Sequence, residues 1–101
     1  MKKYFTILYS RGPNWKGDLN WTEQSLLTHG QYMSELSKQG ILILGGPFDD
    51  GTGGQSVIKV ENMSMAEQIL EKDPAILEGV FTATIHPWLI AFEYNYSNLP
   101  L

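Results

Sequence analysis

Apolar and polar positions alternate loosely from residue 3 to residue 10, with Phe5, Ile7 and Tyr9 on one side and Tyr4, Thr6, Leu8 and Ser10 on the other. This period predicts a strand, and large residues on both sides predict that both its faces are covered. RGPNWKGDLNW, residues 11–21, interrupts the pattern with Gly, Pro, Asn and Asp and predicts a long first loop carrying Arg11, Trp15 and Trp21. Two tryptophans there suit either a lid or partner surface, or plain packing over the core edge. From residue 22 the period lengthens. At about 100° per residue, Leu26, Met33 and Leu36 share one stripe with Gly30 at its edge, which predicts an amphipathic helix. Asn20 or Thr22 can cap it, Asn20 and Glu23 have capping-box spacing, and Gly40 stops it after about Gln39. Gly30 inside the helix costs roughly 1 kcal/mol against Ala and is reasonable if a strand backbone or a ligand comes close.

ILILGGPF is apolar at consecutive positions and predicts a buried second strand closed by Gly45, Gly46 and Pro47. DDGTGG is a turn. QSVIKVEN predicts a third strand, with Ser56, Ile58 and Val60 on one face and Val57, Lys59 and Glu61 on a partly solvated one. SMAEQILEKDP predicts a second helix, with Ser64 and Glu67 as its capping box and Pro74 at its end. AILEG is a link. VFTATIHPWLIAFEYNY predicts a long last strand, bent or bulged at His86-Pro87-Trp88, and SNLPL a loose tail.

Two ionisable residues interrupt the apolar stripes. His29 falls within roughly 30° of the middle of the first helix stripe, where an imidazole needs a partner or a pocket. Asp73 completes the i, i+3, i+4, i+7 stripe of Ala66, Ile69 and Leu70. It is also expected at the negative end of that helix, where a carboxylate is disfavoured. The ordinary alternatives are a satisfied core histidine and a solvated carboxylate beyond the last packed turn.

The order β-α-β-β-α-β predicts an α+β, ferredoxin-like fold, a four-stranded antiparallel sheet with two helices on one face. The other face would carry aromatic and aliphatic residues of the first and last strands. Face-to-face pairing of two sheets would cover them, so a homodimer, or a higher oligomer, is expected.

The 101 residues are one domain's worth, residues 1–101, and the 43% hydrophobic content suffices for one core. No apolar run nears the roughly 20 residues of a membrane span, and the start, MKKYFTILYSRGPN, reads as a strand and not a signal peptide. A net charge of −4 without a basic cluster argues against nucleic acid and anionic membranes as partners. The chain has no cysteine, which excludes disulfides and thiolate chemistry and fits a cytoplasmic protein. The two histidines, His29 and His86, lie in different elements, so no metal is expected. The glycines at 45–46 and 51–54 follow no phosphate-loop pattern, and no cofactor is expected.

Two segments, THGQYMSELSKQGILILGGPF and EKDPAILEGVFTATIHPW, carry a helical His, GxLxxxGP, a helix ending in DP and a strand ending near PW. In this the chain resembles the YCII-related (YciI-like) domain family from about residue 3 to 92, leaving out the loop at 11–21. The resemblance implies a ferredoxin-like fold of the dimeric α/β barrel type and an active site built around one His and one Asp, by motif His29 and Asp73. Most members have no assigned reaction, and a few relatives act on ring compounds by dehydrochlorination or isomerisation.

A His–Asp pair without an activated Ser or Cys suits proton transfer: abstraction beside a carbonyl, isomerisation or elimination. His29 would be the base and Asp73 its orienter, or the reverse. The neighbouring wall is expected from Gly46, Pro47, Phe48 and Ser56, with Arg11 and Tyr32 at the mouth and Trp88 as a further apolar side. Ordinary core, surface or interface packing is the alternative for each. Ser56 lacks a nucleophile-elbow context and reads as a pocket hydroxyl. RNA recognition fails because the third strand has no aromatic residue. Two functions of different class remain: a small-molecule enzyme using His29 and Asp73, and a non-catalytic ligand-binding or dimeric assembly domain.

Overall fold

The computed structural model describes residues 1–24 and 26–97. The side chains of Trp21 and Tyr96, Ser25, and residues 98–101 of the expected SNLPL tail lie outside the description. Strands β1 (Lys3–Arg11), β2 (Leu42–Pro47), β3 (Gly53–Val60) and β4 (Phe81–Trp88) form one sheet in the order β2-β3-β1-β4. The pairings β1–β3, β1–β4 and β2–β3 are all antiparallel. Helices α1 (Leu27–Lys38) and α2 (Met63–Glu71) supply the two crossovers. This is the α+β, ferredoxin-like arrangement.

Register decides which residues meet. Phe5 pairs with Ile58 and Ile7 with Ser56, so both pairs share the helix-facing side. Phe5, Ile7, Ile58, Val60 and Ala66 are buried there and form the core with Ile69, Leu70 and Ile85 against them. The opposite face is mixed. Leu8 and Trp88 are partly exposed, Gln55 donates to Thr6 Oγ1 at 2.9 Å, and the Lys59 amine lies 5.2 Å from the Tyr4 ring centre. His86, on that same face, is exposed and hydrogen-bonded to Thr84 Oγ1 at 3.1 Å.

Five expectations need correction. The first helix starts at Leu27, because Trp21–Glu23 form a separate 3₁₀ turn that Asn20 and Glu23 close as a capping box. His29 is therefore in the first turn of α1. The second strand is not buried. As an edge strand with a register shift between Leu42 and Leu44, it leaves Ile43 and Leu44 exposed. The cap of α2 is Asn62, whose side chain accepts the Met65 N–H at 2.9 Å, and Ser64 lies inside the helix. AILEG is no plain link, since Pro74–Leu77 form a short helix, α3. The last strand ends at Trp88 and is followed by a small hairpin, β5 (Phe92–Glu93) and β6 (Tyr96–Ser97), turned at Asn95 with φ 59°. No helix among the described residues is long and apolar enough to cross a membrane.

Candidate active site

The site starts with the dipeptide Asp73-Pro74. Proline at the first helical position lacks only an N–H that has no helical partner there, and Asp before it is a natural cap. The Asp73 carboxylate duly accepts the Ala75 N–H at 2.9 Å and opens α3. Asp73 thus faces the N–H end of α3, not the carbonyl end of α2. The objection to an ionised carboxylate at this position falls away. Its side chain is 2% exposed.

Burying a carboxylate requires hydrogen bonds. Its remaining partner among the described residues is His29, whose Nδ1 lies 2.7 Å from Oδ1 and 2.9 Å from Oδ2. The carboxylate accepts, so Nδ1 carries the hydrogen, and in the neutral ring Nε2 is the nitrogen with the lone pair. The ring stands edge-on to Phe81 and Tyr9, with centroids 5.5 and 6.1 Å away. Two aromatic neighbours and a buried carboxylate thus flank the imidazole.

His29 lines a cleft of about 540 Å³ at the end of the sheet where β1 finishes and β4 begins. The floor is kept low by glycines inside β2 and β3. A Cβ on Gly53 would meet the Tyr9 carbonyl oxygen at 2.1 Å, and one on Gly45 would meet Ser56 Oγ at 2.9 Å. The Tyr9 hydroxyl donates to Ser56 Oγ at 3.0 Å. Burial pushes the Tyr9 phenol up to about 12; the Ser56 bond opposes this, and Asp73 and Tyr32 add to it.

The mouth is built by the first loop. Arg11 donates from Nη2 to the Gly51 carbonyl at 3.0 Å, and its guanidinium lies 5.1 Å from the Trp15 ring centre. Trp15 packs on Phe81 at 6.0 Å between centroids, and its Nε1 is buried with no hydrogen-bond partner among the described residues. Gln24 staples the loop: its Oε1 accepts the Lys16 N–H at 2.8 Å and its Nε2 donates to the Leu19 carbonyl at 3.0 Å.

Of the residues expected at the site, Arg11, His29, Gly46, Pro47 and Ser56 line this cleft, and Asp73 supports it from below through His29. Tyr32, Phe48 and Trp88 are not among its lining residues. Tyr32 faces α2 and donates to the Ile69 carbonyl at 2.7 Å. Its phenol is raised first by burial and then by the Asp73 carboxylate. Phe48 and Trp88 are partly exposed, and Trp88 pairs with Tyr4 at the far end of β1. Gly30 lines the cleft, but a Cβ there would touch nothing within 4 Å, so no strand backbone accounts for it. The sequence reading missed Tyr9, Gln24, Phe81 and Gly45. For Tyr9 a signal existed: a phenol on the same strand face as Phe5 and Ile7 needs a buried hydroxyl partner. No group of three or more possible metal ligands occurs among the described residues.

A curated relative, the uncharacterised protein YjpA of Bacillus subtilis (strain 168), is 29% identical over 68 residues, covering 67% of this chain and 80% of that protein. Among solved structures, the chain is similar to 5-chloro-2-hydroxyhydroquinone dehydrochlorinase (TftG) from Burkholderia phenoliruptrix AC1100, in complex with 2,5-dihydroxybenzoquinone. The TM-score is 0.66 at 23% identity, covering 85% of this chain and 93% of that one, which shows a shared fold. The YCII-related domain model matches residues 7–89, and with most of its length inside that match the chain belongs to the YCII-related domain family.

Proposed function

We propose that this protein is a small-molecule enzyme that moves a proton with His29 as base and Asp73 as the group that orients it. The observation that carries this reading is the buried Asp73 carboxylate gripping Nδ1 at 2.7 and 2.9 Å on a ring that lines the cleft. A neutral imidazole so held offers Nε2 to a carbon acid or a hydroxyl and can return the proton elsewhere on the substrate. Isomerisation, lyase or dehydrochlorinase-like elimination all fit. The dehydrochlorinase with the same fold was solved with a ring ligand, and Trp15 and Phe81 offer aromatic walls here. Arg11 and the backbone around Gly46 and Pro47 would bound the substrate at the mouth.

The test is His29→Gln, with 2,5-dihydroxybenzoquinone as a binding probe and Trp fluorescence as the readout. The enzyme reading expects a folded variant that loses turnover or probe binding. A less stable variant with unchanged binding would make His29 a core histidine and leave the ligand-binding or assembly role.

We also propose a homodimer formed through the open sheet face, where Leu8, Leu44 and Trp88 remain partly exposed. Sedimentation at micromolar concentration should give twice the monomer mass, and a clean monomer would refute it. The lack of cysteine suits a reducing, cytoplasmic compartment. The acidic balance suits neither nucleic acid nor anionic membrane as a partner.

A further inference from the structure

Tyr9 and Ser56 sit on the cleft floor, 7% and 2% exposed. Between them they carry two hydroxyl hydrogens, and their mutual bond at 3.0 Å uses one. The second hydrogen has no acceptor among the described residues. Buried hydroxyls are normally satisfied, so a spare donor on the wall of a cleft is a feature to explain. Gly45 adds an independent observation. A Cβ there would come within 2.9 Å of Ser56 Oγ, so glycine keeps free the space beside this oxygen. The Tyr9 ring also borders the His29 ring, at 6.1 Å between centroids. The spare donor and the imidazole therefore open onto the same space.

We infer that Tyr9 and Ser56 act as one hydrogen-bond donor toward a carbonyl or enolate oxygen of the substrate, while His29 Nε2 takes the proton from the adjacent carbon. This rests on the proton-transfer reading of His29. In the step, the C–H bond breaks and its proton goes to Nε2. Its electron pair becomes the new C=C bond, and the carbonyl π pair moves to oxygen, where the spare hydroxyl meets it. Donors fixed in advance at the place where charge develops are an effective form of catalysis. The Tyr9 phenol, pushed up by burial to about 12, is protonated across the neutral range, as is the Ser56 hydroxyl. The substrate class is accordingly a planar, unsaturated carbonyl compound or its enol.

The experiment titrates 4-nitrophenol, at a pH where the free dye is ionised, against nitrobenzene as a neutral probe of the same shape. It uses wild type, Tyr9→Phe, Ser56→Ala and His29→Gln, with folding checked by circular dichroism. Wild type should prefer the phenolate. Ser56→Ala, which removes the spare donor, should lower phenolate affinity about tenfold, as for loss of a hydrogen bond to a charged group. Tyr9→Phe, which removes the bond that polarises this donor, should lower it by a smaller factor, with nitrobenzene binding unchanged in both. Ser56→Ala deletes a single oxygen and reads the same pair if Tyr9→Phe does not fold. A wild type that shows no phenolate preference, or folded variants that keep it, would overturn the inference. Phenolate binding needs no turnover. Selective loss in the two hydroxyl variants, with His29→Gln at wild-type affinity, would uphold the donor pair even if the proton-transfer role of His29 failed.

Discussion

Phe5, Ile58, Val60 and Ala66 fill one end of the layer between sheet and helices; at the other end the same two strands carry Tyr9, Ser56 and Gly54 beside an open cleft. The faces are continuous. Ile58 and Ser56 lie two residues apart on β3, both almost wholly buried. What changes is side-chain volume and polarity. At the filled end, burial of apolar area supplies stability. At the cleft end, small residues leave space, and the buried Tyr9 and Asp73 side chains are held by partners: Tyr9 by Ser56, Asp73 by His29 and the Ala75 N–H. One end therefore should respond to mutation through stability, and the other mainly through binding and turnover.

The largest expected effect is Ile58→Ala, which should cost about 2–5 kcal/mol in urea denaturation through lost burial and a cavity. Ser56→Ala, on the same face, should cost only about 1 kcal/mol, the worth of one hydrogen bond. Equal losses at the two positions would erase the distinction between the ends.

Asp73 is the exception within the cleft end. Asp73→Ala removes a cap and strands the His29 Nδ1–H, so it should cost about 2–4 kcal/mol as well as activity. A variant of wild-type stability would show that the pair is functional only.

Tyr9 gives the contrast a pH signature. Burial pushes its phenol up to about 12 in the native protein, from an ordinary value of 10.0. Between those values the folded protein keeps a proton that the unfolded chain has released. Stability is thus intact below pH 10, falls as pH rises toward 12, and has lost roughly 2–3 kcal/mol above it. Stability curves measured from pH 9 to 12 should show this fall in wild type and a flatter profile in Tyr9→Phe. Parallel profiles would place the phenol in a wetter setting than the cleft floor.

The filled end was the legible one. Strand alternation placed Phe5 and Ile7 together, and helical spacing placed Ala66 with Ile69, because one period explains each set. At the cleft end, periodicity singled out His29 and Asp73 as anomalies but could not say what held them. Their meeting depends on the crossing of α1 and the α2–α3 corner, which no local pattern encodes. The reading of DP as a helix stop hid the cap, since the same dipeptide marks the start of α3. Tyr32, Phe48 and Trp88 went astray for a similar reason. An aromatic residue's chemistry says it wants burial, but register decides against what.

The smallest effect separates two caps of the same chemistry at opposite ends of α2. Asn62 caps its start at the filled end, through a bond to the Met65 N–H at 2.9 Å, and is exposed. Asp73 follows its end at the cleft and makes the equivalent bond to Ala75. Asn62→Ala should cost about 1 kcal/mol and leave activity untouched, because a cap is all that is lost. Ser64→Ala should change stability by less than about 0.5 kcal/mol, since Ser64 is an exposed residue inside the helix. Asp73→Asn keeps a cap acceptor while removing the charge that orients His29. Its stability should fall by no more than about 1–2 kcal/mol while turnover collapses. If Asp73→Asn instead retained activity, the carboxylate would be a cap like Asn62, and the cleft end would differ from the filled end only in shape.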